Sequence, residues 1–298
     1  PRHLHLSSSG SRPSPWGSTG ALGPRSQRLS GTHHGYSSWS HDTKAPLSLA
    51  GFKSQAEMEA RIKEFDEQPL GEHIRPHLLR ASTLVVLFQS WFGVAAEEAS
   101  KASSVAAHVR EVKKNALSLM AFLINLADDN GNTVLHYSVS HCNYSIVSVL
   151  LDTGVADVNL QNNAGYTSMM LASLTAPDGP SGMEVVRRLM ELGNANIKSS
   201  QTGQTALHLA VRHGRVVMVR LLLSCGADAN IQDKEGTTAL MFASERGHTH
   251  IARLLLERSQ CDLSLADKHG RTALSIATQG SHTDTAALLK AHAKARAL

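Results

Sequence analysis

Asp152, Thr153 and Gly154 spell the D-T-G of aspartic proteases. That chemistry needs two carboxylates sharing a proton, and the chain has no second D-T-G or D-S-G. Gly154 reads instead as the glycine that ends a helix. His136, His141 and Cys142 fall within seven residues and are of metal-ligating type, yet a fourth ligand at a recognisable spacing is missing. Seventeen histidines offer proton transfer, but His3, His5, His33, His34 and His41 lie in the first 50 residues and none makes a triad by spacing. No Walker loop, dinucleotide fingerprint or kinase signature occurs. Asn143, Tyr144 and Ser145 form a glycosylation sequon only in a secreted chain. The residues therefore predict no catalytic site, no metal and no cofactor: not an enzyme.

Composition narrows the classes further. The chain has 298 residues, 42% hydrophobic and 18% charged, enough for about two domains with a sizeable core. The run from Ala81 to Ala96, 16 residues without a charge, is interrupted by Ser82, Gln89, Ser90 and Gly93. It falls short of the roughly 18 to 20 apolar residues a membrane span requires. Net charge is +4, and the first 50 residues hold Arg2, Arg12, Arg25, Arg28 and Lys44 against Asp42 alone, so the remainder balances 24 basic with 24 acidic residues. A neutral folded part lacks the basic field that phosphate backbones select, which argues against nucleic acid. Cys142, Cys225 and Cys261, an odd number without a C-x-x-C pair, fit a reducing compartment, with the cytoplasm as the expected location.

The elements that would position these residues follow from patterning. Residues 1–50 contain 12 Ser, 6 Gly and 5 Pro. With so few apolar groups to bury, they are expected to form a disordered tail or linker, and the Pro and Gly spacing opposes the amphipathic helix of a transit peptide. The chain opens on Pro1 rather than Met, as a piece of a longer protein would. Residues 51–127 read as a small helical unit: Met58, Ile62 and Phe65 at helical spacing, a second pattern from Pro76 through Trp91 and Phe92, then Ala95 to Val112 and Ala116 to Leu126. From 128 to 294 the chain is periodic. Gly131, Gly165, Gly203, Gly236 and Gly270 recur at intervals of 34, 38, 33 and 34, each followed two residues later by Thr133, Thr167, Thr205, Thr238 or Thr272. Each Thr opens a short helix, and a longer Leu- and Val-rich helix follows, ending at Gly154, Gly193 or Gly226, where a left-handed backbone favours glycine. The five extra residues of the second unit are expected within Ala176 to Gly182, whose prolines and glycines should continue neither helix.

A period near 33, with G-x-T-x-L-H, Gly247-His248 before a second helix and G-A-D-A-N from Gly226 to Asn230, resembles the ankyrin repeat, a β-turn plus two antiparallel helices. The Pro that usually follows the Thr is absent from all five units, a loss of some stability rather than of fold. The implied fold is all-α, an ankyrin-repeat solenoid of five helix-turn-helix repeats with an N-terminal helical cap. Ile124 to His141, Leu150 to Gly154, Asn163 to Thr167, Gln201 to Leu207, Ala243 to His248 and the V-V-L-F-Q-S-W-F of Val85 to Phe92 are similar to the C-terminal ankyrin domain of the Kank family. The likeness covers about residues 84–292. Residues 1–80 match poorly, and the KN motif from which the family takes part of its name is not visible.

Stacked ankyrin units leave their turn tips and short helices lining a concave groove. By that pattern the exposed positions include Tyr166 in the second unit, Arg212 and His213 in the third, and Glu245 and Arg246 in the fourth. Met170 and Met241 stand in place of the signature histidine and are expected to add soft apolar surface. The Kank resemblance implies a non-catalytic module of a cortical cytoskeletal adaptor, at the cell cortex, that binds a short Leu-rich segment of a kinesin-4 family motor alongside other cytoskeletal adaptor proteins. Tyr166, Met170, Arg212, Met241, Glu245 and Arg246 are the expected partner-binding residues, with Glu245 pairing a basic residue of the partner. A structural scaffold or spacer, binding a different helical partner or none, is the alternative.

Overall fold

The computed structural model describes Gln89 and residues 91–115, 117–175, 177 and 179–298. The expected tail over 1–50 and the expected helix around Met58 to Phe65 lie outside the described residues. Residues 91–95 are helical, and twelve α-helices follow: α1 (Ala102–Asn115), α2 (Leu117–Ile124), α3 (Val134–Ser140), α4 (Tyr144–Asp152), α5 (Ser168–Leu174), α6 (Gly179–Leu192), α7 (Ala206–Arg212), α8 (Val216–Ser224), α9 (Ala239–Arg246), α10 (Thr249–Arg258), α11 (Ala273–Gln279) and α12 (Thr283–Arg296). They form five short-long pairs from α3/α4 to α11/α12, the expected solenoid units. The chain divides into two compact units. One runs to Ser168 and includes Asp178–Val185; the other comprises Met169–Pro177 and Val186–Leu298.

The short helices begin where the sequence pattern places them because the Thr completes a reciprocal cap. Thr133, Thr205, Thr238 and Thr272 hold extended backbone, and each hydroxyl accepts the backbone N–H three residues on, from His136, His208, Met241 or Ser275. The side chain of that third residue in turn accepts the N–H of the Thr, so two otherwise orphaned donors of a seven- or eight-residue helix are satisfied. The missing Pro is thereby of little consequence.

In the first unit α3 packs on α4, and α1 packs on both α2 and α4. Trp91 and Phe92 are fully buried; Trp91 stacks on the His108 ring at 5.7 Å, and Phe92 meets Tyr137 edge-on at 6.4 Å. Asn143 Nδ2 donates to the Ser100 carbonyl at 2.8 Å, tying the start of α4 to the turn before α1. These contacts are those of a helical cover on the first repeat. The continuous pattern read across Ala95 is broken: Ala96 to Lys101 is a turn segment between helices.

In the second unit α7, α9 and α11 pack side by side, and α8, α10 and α12 pack behind them. Val219, Leu222, Ile251, Ala252 and Leu255 are buried between the long helices. Two expectations need correction. Gly179 to Gly182 do not remain outside the helices but form the first turn of α6; a Pro at the second position of a helix loses no hydrogen bond, because that N–H would have no intrahelical acceptor. Gly193 is not left-handed, whereas Gly154 and Gly226 are, at φ 71° and 86°.

The turn tips fix why glycine recurs. Gly131 lies at φ 74°, and a Cβ there would meet Asn163 Oδ1 at 2.7 Å and Asn163 N at 2.8 Å, so conformation and close approach both demand its hydrogen. Between the two helices of a pair, Cys142 and Ser281 hold left-handed backbone at φ 56° and 58°, where the third and fourth pairs have Gly214 and Gly247.

Two stability measurements check this packing. Leu222→Ala, at a fully buried position, should cost about 2 to 5 kcal/mol in urea unfolding through the cavity it leaves. A loss under about 1 kcal/mol would contradict burial between stacked repeats. Ser281→Gly should instead raise stability, by about 1 kcal/mol, because it relieves a left-handed non-glycine residue.

Candidate interaction surface

Four of the five hairpin tips are organised by one side chain that caps its own turn. Asp128 Oδ1 accepts the N–H groups of Asn130 and Asn132, Asn162 Oδ1 those of Ala164 and Tyr166, Asp233 Oδ1 those of Glu235 and Thr237, and Asp267 Oδ1 those of His269 and Arg271, at 2.8 to 3.1 Å. The carboxamide or carboxylate so placed turns the backbone sharply and holds it. Successive tips join through the main chain: Asn163 N–H donates to the Asn130 carbonyl at 2.9 Å, Lys234 N–H to Thr202 and Lys268 N–H to Glu235, each at 3.0 Å.

The repeat histidine adds a second link. Thr133 N–H donates to His136 Nδ1 at 3.1 Å, which leaves the imidazole proton on Nε2, and Nε2–H donates to the Tyr166 carbonyl at 3.0 Å. His208 repeats the arrangement, with Thr205 N–H at 3.0 Å on Nδ1 and the Thr237 carbonyl at 2.9 Å from Nε2. Each ring works only as the neutral tautomer. Burial lowers the His136 pKa to about 4 against the opposing hydrogen bonds to Tyr166 and Leu160, and burial likewise lowers that of His208. The metal reading of His136, His141 and Cys142 gives way to this role, and no group of three or more His, Cys, Asp or Glu among the described residues is placed to hold a metal.

Of the expected partner-binding residues, Tyr166 lies half-exposed at a tip. Its N–H is held by Asn162 Oδ1 and its carbonyl by His136. Arg212, Glu245 and Arg246 are exposed, at the ends of α7 and α9. Met170 and Met241 correct the expectation: both are about 1% exposed and lie in the core, not on the groove. The reason is local. The third position of the short helix points back into its own turn, where Met241 Sδ accepts the Thr238 N–H at 3.5 Å as the histidine ring does elsewhere. Arg215 escaped the sequence reading. It opens α8 after Gly214, and its Nη2 donates to the Leu174 carbonyl at 3.2 Å; no sequence pattern signals that the guanidinium returns to the end of α5.

With the geometry in place, the comparisons agree on class. A family profile described as ankyrin repeats in three copies matches residues 105–178, 156–233 and 217–297, together more than half of the chain. The chain belongs to the ankyrin-repeat family, whose members are generally non-catalytic protein–protein interaction modules. It is similar to the transient receptor potential cation channel subfamily A member 1 homolog of Caenorhabditis elegans, 33% identical over 138 residues, which is 46% of this chain and 11% of that protein. The chain thus spans about a tenth of that protein's length. Among the described residues no helix is long and apolar enough to cross a membrane.

The neutral histidines generate a pH dependence with a definite sign. His136 titrates near 4 when folded and near 6.5 when unfolded, so the unfolded chain binds more protons between these values. The stabilisation is complete above about pH 6.5 and is lost as pH falls towards 4, by up to about 3 kcal/mol. His136→Met, which copies position 241, should flatten the slope of unfolding free energy over pH 4 to 6.5. An unchanged slope would show that another group carries it.

Proposed function

We propose that this ankyrin array is the partner-binding module of a Kank-type cortical adaptor and takes up a short Leu-rich segment of a kinesin-4 family motor, linking the cell cortex to microtubules. The observation that carries the reading is Tyr166. Its backbone is held at both ends, by Asn162 and by His136, while its side chain stays half-exposed at a hairpin tip. A large amphipathic ring presented from a fixed backbone is the chemistry of an interface anchor, since little conformational entropy remains to be lost on binding. Glu245, exposed at the end of α9, supplies an acid for a basic residue of the segment. The similarity of residues 84–292 to the Kank ankyrin domain supports the choice of partner. With Met170 and Met241 in the core, the apolar contact rests on Tyr166 rather than on a methionine patch.

Calorimetry with a synthetic Leu-rich kinesin-4 peptide tests each anchor separately. Tyr166→Ala should weaken binding by about 2 kcal/mol or more and leave the thermal unfolding midpoint unchanged. Glu245→Lys should weaken it too, with partial recovery when the basic residue of the peptide becomes Glu. Normal binding by Tyr166→Ala would place the contact on another surface, and absence of recovery in the charge-swapped pair would remove Glu245 from the interface.

A further inference from the structure

The ends of the short helices in the second unit collect positive charge that the fold does not neutralise. Arg212 is the last residue of α7 and Arg246 the last of α9, and these two helices pack side by side. Arg215 follows α7 across the left-handed Gly214. Arg212 extends over the Phe242 ring, with Cζ 5.9 Å from its centroid, while Arg215 is anchored on the Leu174 carbonyl. The buried Nε of Arg215 has no hydrogen-bond partner among the described residues. His213 sits between them, donating from Nδ1 to the Leu209 carbonyl at 2.9 Å. Burial lowers its pKa, the bond to Leu209 opposes this, and the charges of Arg212, Arg215 and Arg246 lower it further. Among the described residues Arg212, Arg215 and Arg246 take part in no side-chain ion pair.

Helix dipoles explain part of this. A cation in the last turn of a helix complements the partial negative charge there, which accounts for Arg212 and Arg246 taken singly. It does not account for Arg215, which stands at the start of α8, where a cation is unfavourable, nor for the like charge that Arg212, Arg215 and Arg246 bring to one rim. Such an arrangement is stabilised when an anion joins it, and the planar guanidinium fork matches a carboxylate.

We infer that this rim of the second unit, centred on Arg212 and Arg246, binds an acidic segment of a protein partner through its carboxylates. The ends of neighbouring helices stand about 10 Å apart, and an extended chain advances about 3.3 Å per residue. Acids three residues apart on an extended segment therefore meet successive repeats. A protein segment fits better than nucleic acid or an anionic membrane, because a charge-balanced repeat region offers no broad basic field. The inference does not rest on the Leu-rich reading, which leaves Arg212 and Arg246 without a defined counterpart.

The test uses the full chain and a fluorescein-labelled 12-residue peptide of Ser and Ala with Glu at every third position, read by fluorescence anisotropy. Binding should weaken as salt rises and vanish when the Glu residues become Gln. Arg212→Ala and Arg246→Ala should each lose at least about tenfold in affinity, with circular dichroism unchanged, whereas Lys290→Ala, on exposed α12 surface, should bind as the parent chain does. Tyr166→Ala should also bind this peptide normally, which separates failure here from failure of the Leu-rich reading. No salt-sensitive binding by the parent chain, arginine variants that bind equally well, or capture of phosphatidylserine vesicles without capture of the peptide would each overturn the inference.

Discussion

A buried imidazole that must stay neutral organises the turns of this protein. With its proton on Nε2, His136 or His208 accepts the N–H of the Thr that caps its own short helix and donates to the backbone of the next hairpin. One side chain thus performs a local and a non-local task at once. The two are inseparable, because the cap fixes the tautomer and the tautomer fixes the donor. A charged ring would lose the acceptor at Nδ1 and would have to be accommodated in the core, where burial already disfavours it.

The departures from that residue show what each half is worth to the fold. Met241 and Ser275 keep the local half, accepting the Thr N–H through sulfur or hydroxyl. A thioether has no proton to give, so the fourth repeat is joined to the fifth instead by Lys268 N–H to the Glu235 carbonyl and by Gln232 Nε2–H to the Ala266 carbonyl. The third repeat has the main-chain bond and the histidine together. The links are redundant where the histidine is present, which is why its replacement is compatible with the same architecture.

The architecture was legible because glycine and threonine recur at a fixed offset, and the local requirements behind them, a left-handed tip and a reciprocal cap, depend on a few neighbouring residues. Surface assignment was less legible. Repeat position points Met170 and Met241 at the groove, yet side-chain direction at the third helical position is set by the cap and not by the groove. The Pro and Gly of Gly179 to Gly182 suggest a break, although at the start of a helix they are tolerated in a way they are not in its interior. Arg215 was invisible as a contact, because its acceptor is a carbonyl 41 residues earlier and a backbone carbonyl has no sequence signature. Tyr166, Arg212, Glu245 and Arg246 were legible as outward positions because tips and helix ends leave them solvent.

The turn-to-turn bonds of both units span a nearly constant stretch of chain, 29 to 34 residues. Within a unit each repeat is thus fastened to its immediate neighbour. Under tension applied through the chain, such a ladder has no single clasp whose failure releases everything. Loss of one rung loosens only the repeats it joins, because each repeat's stability depends on itself and its neighbours alone.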